Sequence, residues 1–489
     1  MNELHPEPAP LLLDAMGMTL GSPSVFFSPK HDVRKRIAAT IPASRTPLAM
    51  HDRVILLKLL MALAGAATCA MLWKSRSVRR LSNGQFTAVA IGLAILGRMG
   101  FYTLVYVIQG QPVPTDVPMY YYPEALKTLG GLVPYRDFAS SYAPLFDYFG
   151  AAMISLWNDT RVYVLVAIGV DVLAVPIWLA VGRRLFAEDV VRTAAILYLT
   201  NVKALLSVCT GQNQVWIALL LAAALWLRLR DRPFWSGMML GLGLSAVKVL
   251  VLVLTPPVWL AGRRRLIWLV GFAAIPGIVY LSFIALGADV LLPLKNEGHL
   301  VTCGNLPFLA TLAGFDASGW IGAASMAALL AIWASLYLAV WRRGLDLDAR
   351  RMIHLLTLVL ICFMLLSKKA YTGYLVLGMF CVCLTVADRP FSWRDMLVYC
   401  LFMAATVMEP TLWDRWLPNQ DLRLFRQWPS AGHPGFVKLA VFTSVEIVLL
   451  GCYLYYVIQA FSKVFGLRDR TEAVSQTIPN AENVCLFDG

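Results

Sequence analysis

Apolar residues fill this chain in long runs, and short polar segments between the runs carry most of the charge. A helix needs about 20 residues to cross roughly 30 Å of hydrocarbon, so the pattern predicts an all-α, polytopic bundle of about eleven transmembrane helices. The predicted spans are 54–73, 86–109, 162–182, 191–208, 213–229, 266–287, 319–341, 352–366, 371–387, 396–408 and 436–460.

The composition excludes a water-soluble enzyme. Of 489 residues, 59% are hydrophobic and 15% are charged, and the mean hydropathy is +0.66. A soluble globular chain carries roughly 25% charged residues, so this chain has too few charges to coat two or three soluble domains. The surplus of apolar side chains is expected to face the lipid bilayer.

The positive charge of the chain indicates its topology. The net charge is +13, and the arginines lie in short clusters between apolar runs, such as Arg79-Arg80 and Arg183-Arg184. Nucleic-acid binding would instead concentrate them on one soluble face, so no nucleic-acid partner is predicted. Because cytoplasmic loops are rich in Lys and Arg, the pattern places loops 110–161, 288–318 and 409–435 outside.

Three parts of the chain follow from this arrangement. Residues 1–53 are proline-rich and basic without a periodic apolar run, which is typical of a disordered leader. Residues 54–460 form the membrane domain, and residues 461–489 form a cytoplasmic tail. If run 54–73 spans the membrane, the basic leader lies outside, against the charge rule. The alternative is that this run lies along the interface.

The segment 234–260 is predicted to be a hairpin of two half-helices. Basic residues flank both of its ends, and its 27 residues cannot cross the membrane twice as full helices. Three glycines precede Lys248, and Pro256-Pro257 follow it. Broken backbone at membrane depth is tolerated only where protein or a water-filled cavity surrounds it. We therefore expect Lys248 near the hairpin tip, beside a cavity.

The first outer loop concentrates acids and tyrosines in an otherwise apolar chain. Carboxylates accept protons from hydroxyl groups, and tyrosine rings stack on sugars, whereas a simple interfacial aromatic belt would not require acids. The apolar stretch 145–157 is too short to span and is expected to lie along the outer surface as a juxtamembrane helix. The candidate residues of this loop are Asp116, Tyr120, Tyr121, Tyr135, Arg136, Asp137 and Tyr142.

Cations form a second group of candidates. Charge within a membrane helix points to function, although Arg98 and Asp171 both fall near mid-helix and are expected to form a structural ion pair. Lys203 and Lys248 have no obvious acidic partner in the sequence. Lysine provides a compact charge suited to phosphate, so the cations near the outer leaflet predict a phosphate-bearing lipid. The candidates are Arg136, Lys203, Lys248, Lys368 and Lys369.

Other polar residues of the outer side are candidates for sugar or acceptor contacts. Gln212 and Asn213 follow Gly211 between two spans, and the alternative is an ordinary polar turn. His299 and Asn305 lie in the second outer loop, where an isolated histidine is usually an ordinary loop residue. Metal-ligand spacing is absent, so neither a metal nor a cofactor is predicted. Cys209 and Cys303 both fall at outer positions, where a disulfide between them is possible.

Several motifs resemble a known family. The first outer loop contains an Asp, then Tyr-Tyr, Gly-Gly, Pro-Tyr-Arg-Asp-Phe and Tyr-x-Pro-Leu-Phe, and the pattern is similar to the GT-C superfamily of membrane glycosyltransferases. Gly211-Gln212-Asn213 and the glycine-rich stretch ending in Lys248 resemble its polyprenyl-phosphate-mannose-dependent branch, glycosyltransferase family 87. The resemblance covers residues 86–390.

The resemblance implies transfer of a sugar, mannose in this branch, from a polyprenyl-phosphate-linked donor to a hydroxyl of a glycolipid or glycan. The reaction would invert configuration without a metal, at the periplasmic face of a bacterial plasma membrane, with Asp116 as general base. Asp137 is the rival base, but Arg136 should depress its pKa. The alternative function is a lipid or sugar transporter, which buried charges and broken helices also favour.

Overall fold

Helices form nearly all of the regular backbone of this protein in the computed structural model, which describes residues 48–114, 116–262, 264–297, 301–315, 319–342, 348–417 and 435–466. Within these ranges no strand is present, and a single isolated bridge joins Pro134 and Phe138. The predicted all-α class is therefore confirmed. The leader up to residue 47, the tail from 467 and most of loop 409–435 lie outside the described residues.

The helices have well-defined bounds. Two π-helical segments, Thr103–Ile108 and Val117–Tyr121, and one 3-10 helix, Thr372–Gly378, adjoin them. In chain order the α-helices are α1 (Leu48–Lys74), α2 (Arg76–Arg80), α3 (Asn83–Tyr102), α4 (Tyr122–Leu129), α5 (Pro144–Leu156), α6 (Arg161–Leu185), α7 (Glu188–Leu199), α8 (Val202–Cys209), α9 (Gln214–Arg228), α10 (Pro233–Ala246), α11 (Val251–Leu260), α12 (Arg265–Ala285), α13 (Leu292–Glu297), α14 (Leu306–Leu312), α15 (Trp320–Arg342), α16 (Ala349–Leu366), α17 (Met379–Ala387), α18 (Trp393–Trp416) and α19 (Phe436–Phe465).

The long helices suit a polytopic membrane bundle. In the described ranges, eight are long and apolar enough to cross a bilayer, namely α1, α3 with its π-helical extension, α6, α12, α15, α16, α18 and α19. The pair α7 and α8, bent by 55°, makes a possible ninth. Because α9 and the helical segment Thr372–Ala387 are shorter than a full span, the predicted number of about eleven stays a prediction.

Two predicted boundaries need correction. The helix predicted over 396–408 is longer, because α18 continues through Pro410 to Trp416 and so covers the first residues of the predicted loop 409–435. Glu409 is only 1% exposed, and a buried acid within a helix looks like the start of a loop when only the sequence is read. The single run 191–208 is two helices, because Asn201 interrupts it and caps α8 by accepting a hydrogen bond from the Ala204 N–H at 2.9 Å.

The predicted hairpin is confirmed as two half-helices, α10 and α11, with Lys248 in the turn between them. Glycines bring α10 against α12 at backbone distance. A Cβ atom added at Gly237 would lie 2.1 Å from the Trp268 carbonyl oxygen, and one added at Gly271 would lie 2.1 Å from the Phe234 carbonyl oxygen. Only glycine permits this approach, which positions the half-helix that leads to Lys248.

The ion pair predicted for the membrane interior is also present. The Arg98 Nε donates to Asp171 at 2.7 Å, and both side chains are 1% exposed. The Tyr198 hydroxyl donates to the same carboxylate. This network joins α3, α6 and α7, and pairing removes much of the cost of burying each charge.

The disulfide that the sequence leaves possible between Cys209 and Cys303 is not formed. All eight cysteines in the described part of the chain are free thiols, including Cys209 and Cys303. The Cys209 thiol donates to the Arg98 carbonyl at 3.8 Å, whereas Cys303 lies in a separate polar cluster with Glu409 and Glu446.

The close contact of α10 and α12 leads to a stability prediction. Gly237→Ala should destabilise the protein by about 1–3 kcal/mol, the typical cost of overpacking, because backbone atoms block the new methyl group. The measurement is the thermal unfolding midpoint in detergent. Gly277→Ala on α12 is the matched control, because a Cβ there meets nothing within 4 Å. Equal midpoints for the two variants would contradict the prediction.

Candidate active site

Lys248 projects from the hairpin turn onto two tyrosines. Its Nζ donates to the Tyr374 hydroxyl at 3.3 Å and lies 5.3 Å and 5.2 Å from the ring centroids of Tyr142 and Tyr374. The Val247 carbonyl accepts a hydrogen bond from the Ala143 N–H at 3.2 Å. The turn is therefore bonded to the loop 110–161, and Lys248 is held at their junction.

Asp116 lies at this junction, immediately before the π-helical turn Val117–Tyr121. Its side chain is half-buried. Burial raises the pKa of the Asp116 carboxyl group, whereas the charge of Lys248, the Tyr121 hydroxyl and the charge of Lys369 oppose that rise. The fold thus combines one acid with two ammonium groups that come from distant parts of the chain.

Lys369 belongs to the irregular segment that follows α16. Burial, and after it the charge of Lys248, lower the pKa of Lys369 to about 7, although the charge of Asp116 opposes this shift. Its charge therefore responds to any anion that binds nearby, because an opposite charge favours the ammonium form. The neighbouring Lys368 accepts a hydrogen bond from the Thr302 N–H at its carbonyl oxygen, at 2.8 Å.

Aromatic side chains pack beneath Asp116. The rings of Tyr121 and Tyr142 meet edge to face at 4.8 Å, and Phe146 lies 4.9 Å and 5.2 Å from them. Tyr121 and Tyr142 are 1% and 4% exposed, so they form the floor of the site. Tyr120 is 42% exposed and interacts electrostatically with Asp116, which leaves its ring accessible to a sugar.

The turn at residues 210–213 packs against the same junction. Gly211 has φ +71°, and a Cβ atom there would lie 3.1 Å from a methyl group of Val117. The turn therefore lies close to the π-helical turn that follows Asp116. Gln212 donates its backbone N–H to the Ser207 carbonyl at 3.1 Å. Asn213 is 1% exposed, and neither polar atom of its side chain has a hydrogen-bond partner among the described residues. Such a buried amide is costly unless a ligand or water satisfies it.

Asp137 and Arg136 form a separate surface unit. Their side chains pair at 2.8 Å, and the Asp137 carboxylate also accepts the Val133 N–H at 2.7 Å. These hydrogen bonds lower the pKa of Asp137 to about 2, in the direction predicted. The adjacent Tyr135, at φ 66°, donates its hydroxyl to the Tyr142 carbonyl. This unit supports the loop that carries the aromatic floor.

Two other candidates lie elsewhere. Lys203, in the first turn of α8, interacts with Glu409 and Asp414 and not with Asp116. Asn305 caps α14 by accepting the Phe308 N–H at 2.9 Å. His299 lies outside the described residues. The roles predicted for these side chains stay predictions.

A comparison with protein families identifies the chain. The profile of glycosyltransferase family 87 matches residues 138–408, which is more than half of the chain and includes Lys248, Lys369 and Tyr374. The chain belongs to glycosyltransferase family 87. This confirms the resemblance found in the sequence, and this family 87 protein is a membrane glycosyltransferase, so the transporter alternative loses support. The match begins after Asp116, and no curated protein matches the chain.

Sequence reasoning missed several residues of the site of this glycosyltransferase. Tyr374 accepts a hydrogen bond from Lys248. The one feature of the sequence that could have indicated this role is its position five residues after Lys369. Glu124 and Asp147 form a buried acidic pair on α4 and α5, where Ser140 donates to Glu124 at 2.9 Å. Burial raises the pKa of both carboxyl groups, and the charge of Asp147 raises that of Glu124 further.

The acidic pair predicts a pH dependence of stability. An acid whose pKa is raised in the folded state contributes its full stabilisation below its ordinary pKa, which is 4.5 for Glu124 and 3.8 for Asp147. This stabilisation is lost as the pH rises toward the pKa of the folded state. The thermal unfolding midpoint of the wild type should therefore decrease as the pH is raised from 5 to 9, and Glu124→Gln should make that decrease smaller.

Asp137→Asn is the matched control. The pKa of Asp137 is lowered, so its stabilising contribution is lost only below its ordinary pKa of 3.8, and this variant should keep the wild-type slope from pH 5 to pH 9. Parallel slopes for Glu124→Gln and the wild type would contradict the role of the pair.

Proposed function

We propose that this enzyme transfers mannose from a polyprenyl-phosphate-linked donor to a hydroxyl of a glycolipid or glycan acceptor at the outer face of the membrane, with inversion of configuration. The observation that carries the proposal is the junction itself, where the carboxyl group of Asp116 interacts with both Lys248 and Lys369. Such a site offers a base for an incoming hydroxyl and cations for a departing phosphate.

Asp116 is proposed as the general base. In a direct displacement, the acceptor oxygen attacks the anomeric carbon as its proton moves to the carboxylate, and the bond to the donor phosphate breaks with its electron pair. A base works best when its pKa lies near the working pH. The raised pKa of Asp116 fits this task, whereas the pKa of Asp137, about 2, makes it a poor base.

Lys248 and Lys369 are proposed to bind the donor phosphate. As the sugar leaves, negative charge grows on the phosphate, and preorganised cations in a water-poor site stabilise that charge strongly. Lys248 is oriented by Tyr374. Lys369, with a pKa of about 7, becomes fully charged when an anion arrives beside it. Arg136 and Lys203 are less suited, because each interacts with other acids.

The acceptor or sugar hydroxyls are proposed to contact Asn213 and Tyr120. The buried Asn213 amide has a donor and an acceptor without partners among the described residues, and a sugar hydroxyl satisfies both kinds of group. The exposed ring of Tyr120 lies beside Asp116. Nothing in this arrangement requires a nucleotide sugar.

The base assignment predicts a sharp difference between two aspartates. Asp116→Asn should lower sugar transfer by about 10²–10⁴-fold, the usual contribution of a general base, because the amide cannot take the proton. The assay uses enzyme in liposomes, radiolabelled polyprenyl-phosphate mannose, and membrane lipids from a strain lacking the gene as acceptor. Asp137→Asn is the matched control and should remain within a few-fold of wild type. Retained transfer by Asp116→Asn would refute the assignment.

Removal of Lys248 should shift the pH profile. The ammonium group of Lys248 lowers the pKa of Asp116, so Lys248→Met raises it, and the acid limb of kcat/KM moves to higher pH. Lys368→Met is the control, because Lys368 is not among the groups that act on Asp116. An unshifted limb in Lys248→Met would show that Asp116 does not set this limb.

A further inference from the structure

A second polar cluster lies where the loop at residues 301–305 meets α18 and α19. The Sγ atom of Cys303 and carboxylate oxygens of Glu409 and Glu446 all lie within 4.8 Å of one another. Their exposures are 9%, 1% and 0%. The Gly304 N–H donates to both oxygens of Glu446, at 2.9 Å and 3.1 Å. Three side chains that commonly bind metals therefore converge in a buried space.

Two buried polar atoms in this cluster lack partners. The Oε1 atom of Glu409 and the hydroxyl of Tyr453 have no hydrogen-bond partner among the residues that the structure describes. Tyr453 is 0% exposed and interacts with Glu409, Glu446 and Cys303, so its hydroxyl faces the same space. Buried polar atoms without partners usually mark an ion or water at the site.

Negative charge exceeds positive charge in this cluster. Two buried carboxylates in contact repel each other, and among the described residues Lys203 is the cation that acts on Glu409. Asp414 also interacts with Glu409, and the charges of Lys58, Arg415 and Lys203 act on Asp414 in turn. If Cys303 binds as a thiolate, one divalent cation together with Lys203 balances the three anions.

We propose that Cys303, Glu409 and Glu446 bind a divalent cation of the zinc class. A thiolate combined with carboxylates suits Zn²⁺ better than Mg²⁺ or Ca²⁺, which prefer oxygen ligands. With bonds of about 2.0–2.3 Å, the ligand atoms of a tetrahedral site lie about 3.3–3.7 Å apart, so ligand atoms that lie within 4.8 Å of one another need only a small closure of the side chains. A water molecule that donates a hydrogen bond to the Tyr453 hydroxyl oxygen completes the coordination, and the thiol proton is released to solvent.

The metal would have a structural role, because it would fix the loop that carries Cys303 to α18 and α19. The loop that carries Cys303 is bonded to the segment after α16, because Thr302 donates its N–H to the Lys368 carbonyl at 2.8 Å. A Cβ atom at Gly304 would lie 3.3 Å from the Thr372 methyl group. Fixing this loop to α18 and α19 thus restrains the segment that contains Lys369. The metal site is separate from Asp116 and does not depend on the proposed transfer reaction.

The test measures metal binding by the full-length enzyme purified in detergent without a metal-binding tag. After removal of bound metal with a chelator, Zn²⁺ and Co²⁺ are titrated, and metal content is determined by elemental mass spectrometry. We expect one metal ion per chain and a near-ultraviolet thiolate-to-cobalt band. Cys303→Ser should abolish the band, and both Cys303→Ser and Glu409→Gln should weaken Zn²⁺ binding at least about tenfold.

Cys452→Ser is the matched thiol control. Cys452 lies on α19, where its thiol donates to the Val398 carbonyl at 3.9 Å, so this variant should bind metal like the wild type. A wild-type enzyme that binds less than stoichiometric Zn²⁺ and shows no cobalt band would overturn the proposal, and so would unchanged binding in Cys303→Ser and Glu409→Gln. The wild-type titration needs no variant to fold. It also measures no sugar transfer, so its failure is distinguishable from failure of the proposed function.

Discussion

The requirement that backbone polar groups be hydrogen-bonded inside the bilayer controls where this enzyme can place its chemistry. Within hydrocarbon, that requirement enforces helices, and irregular backbone survives only where protein or water surrounds it. The residues that meet at the candidate site all lie where regular helix is interrupted. Asp116 precedes a π-helical turn, Lys248 lies between two half-helices, and Lys369 follows the end of α16. The site is therefore a meeting point of helix interruptions, packed against one another.

The sequence predicted those features for which a membrane leaves few alternatives. A charge in an apolar run is expensive, so the Arg98–Asp171 pair and the position of Lys248 could be inferred from charge and glycine spacing alone. The sequence gives the approximate depth of a polar residue but not its neighbours. For this reason the sequence places Lys203 among the phosphate-binding candidates, although it interacts with Glu409 and Asp414. For the same reason the sequence did not show that Glu409 lies inside α18.

Two aspartates of one loop show why residue type alone could not define the site. Asp137 lies at the surface, where Arg136 and a backbone N–H stabilise its charged form and lower its pKa to about 2. Asp116 is half-buried over packed aromatic rings, and burial raises its pKa despite two nearby ammonium groups. Their difference comes from long-range packing by the hairpin and the segment after α16. Only the pairing of Asp137 with its neighbour Arg136 was visible in the sequence.

The segment between α16 and α17 links the two polar clusters. Its backbone is irregular or 3-10 helical, so its position cannot come from a long α-helical ladder and must be set by neighbours. On one side the Tyr374 hydroxyl accepts the hydrogen bond from Lys248. On the other side the Lys368 carbonyl accepts the Thr302 N–H, next to Cys303. Any displacement of the 301–305 loop would therefore shift the ammonium group of Lys369 relative to Asp116, and the rigidity of that loop bears directly on the electrostatics of the site.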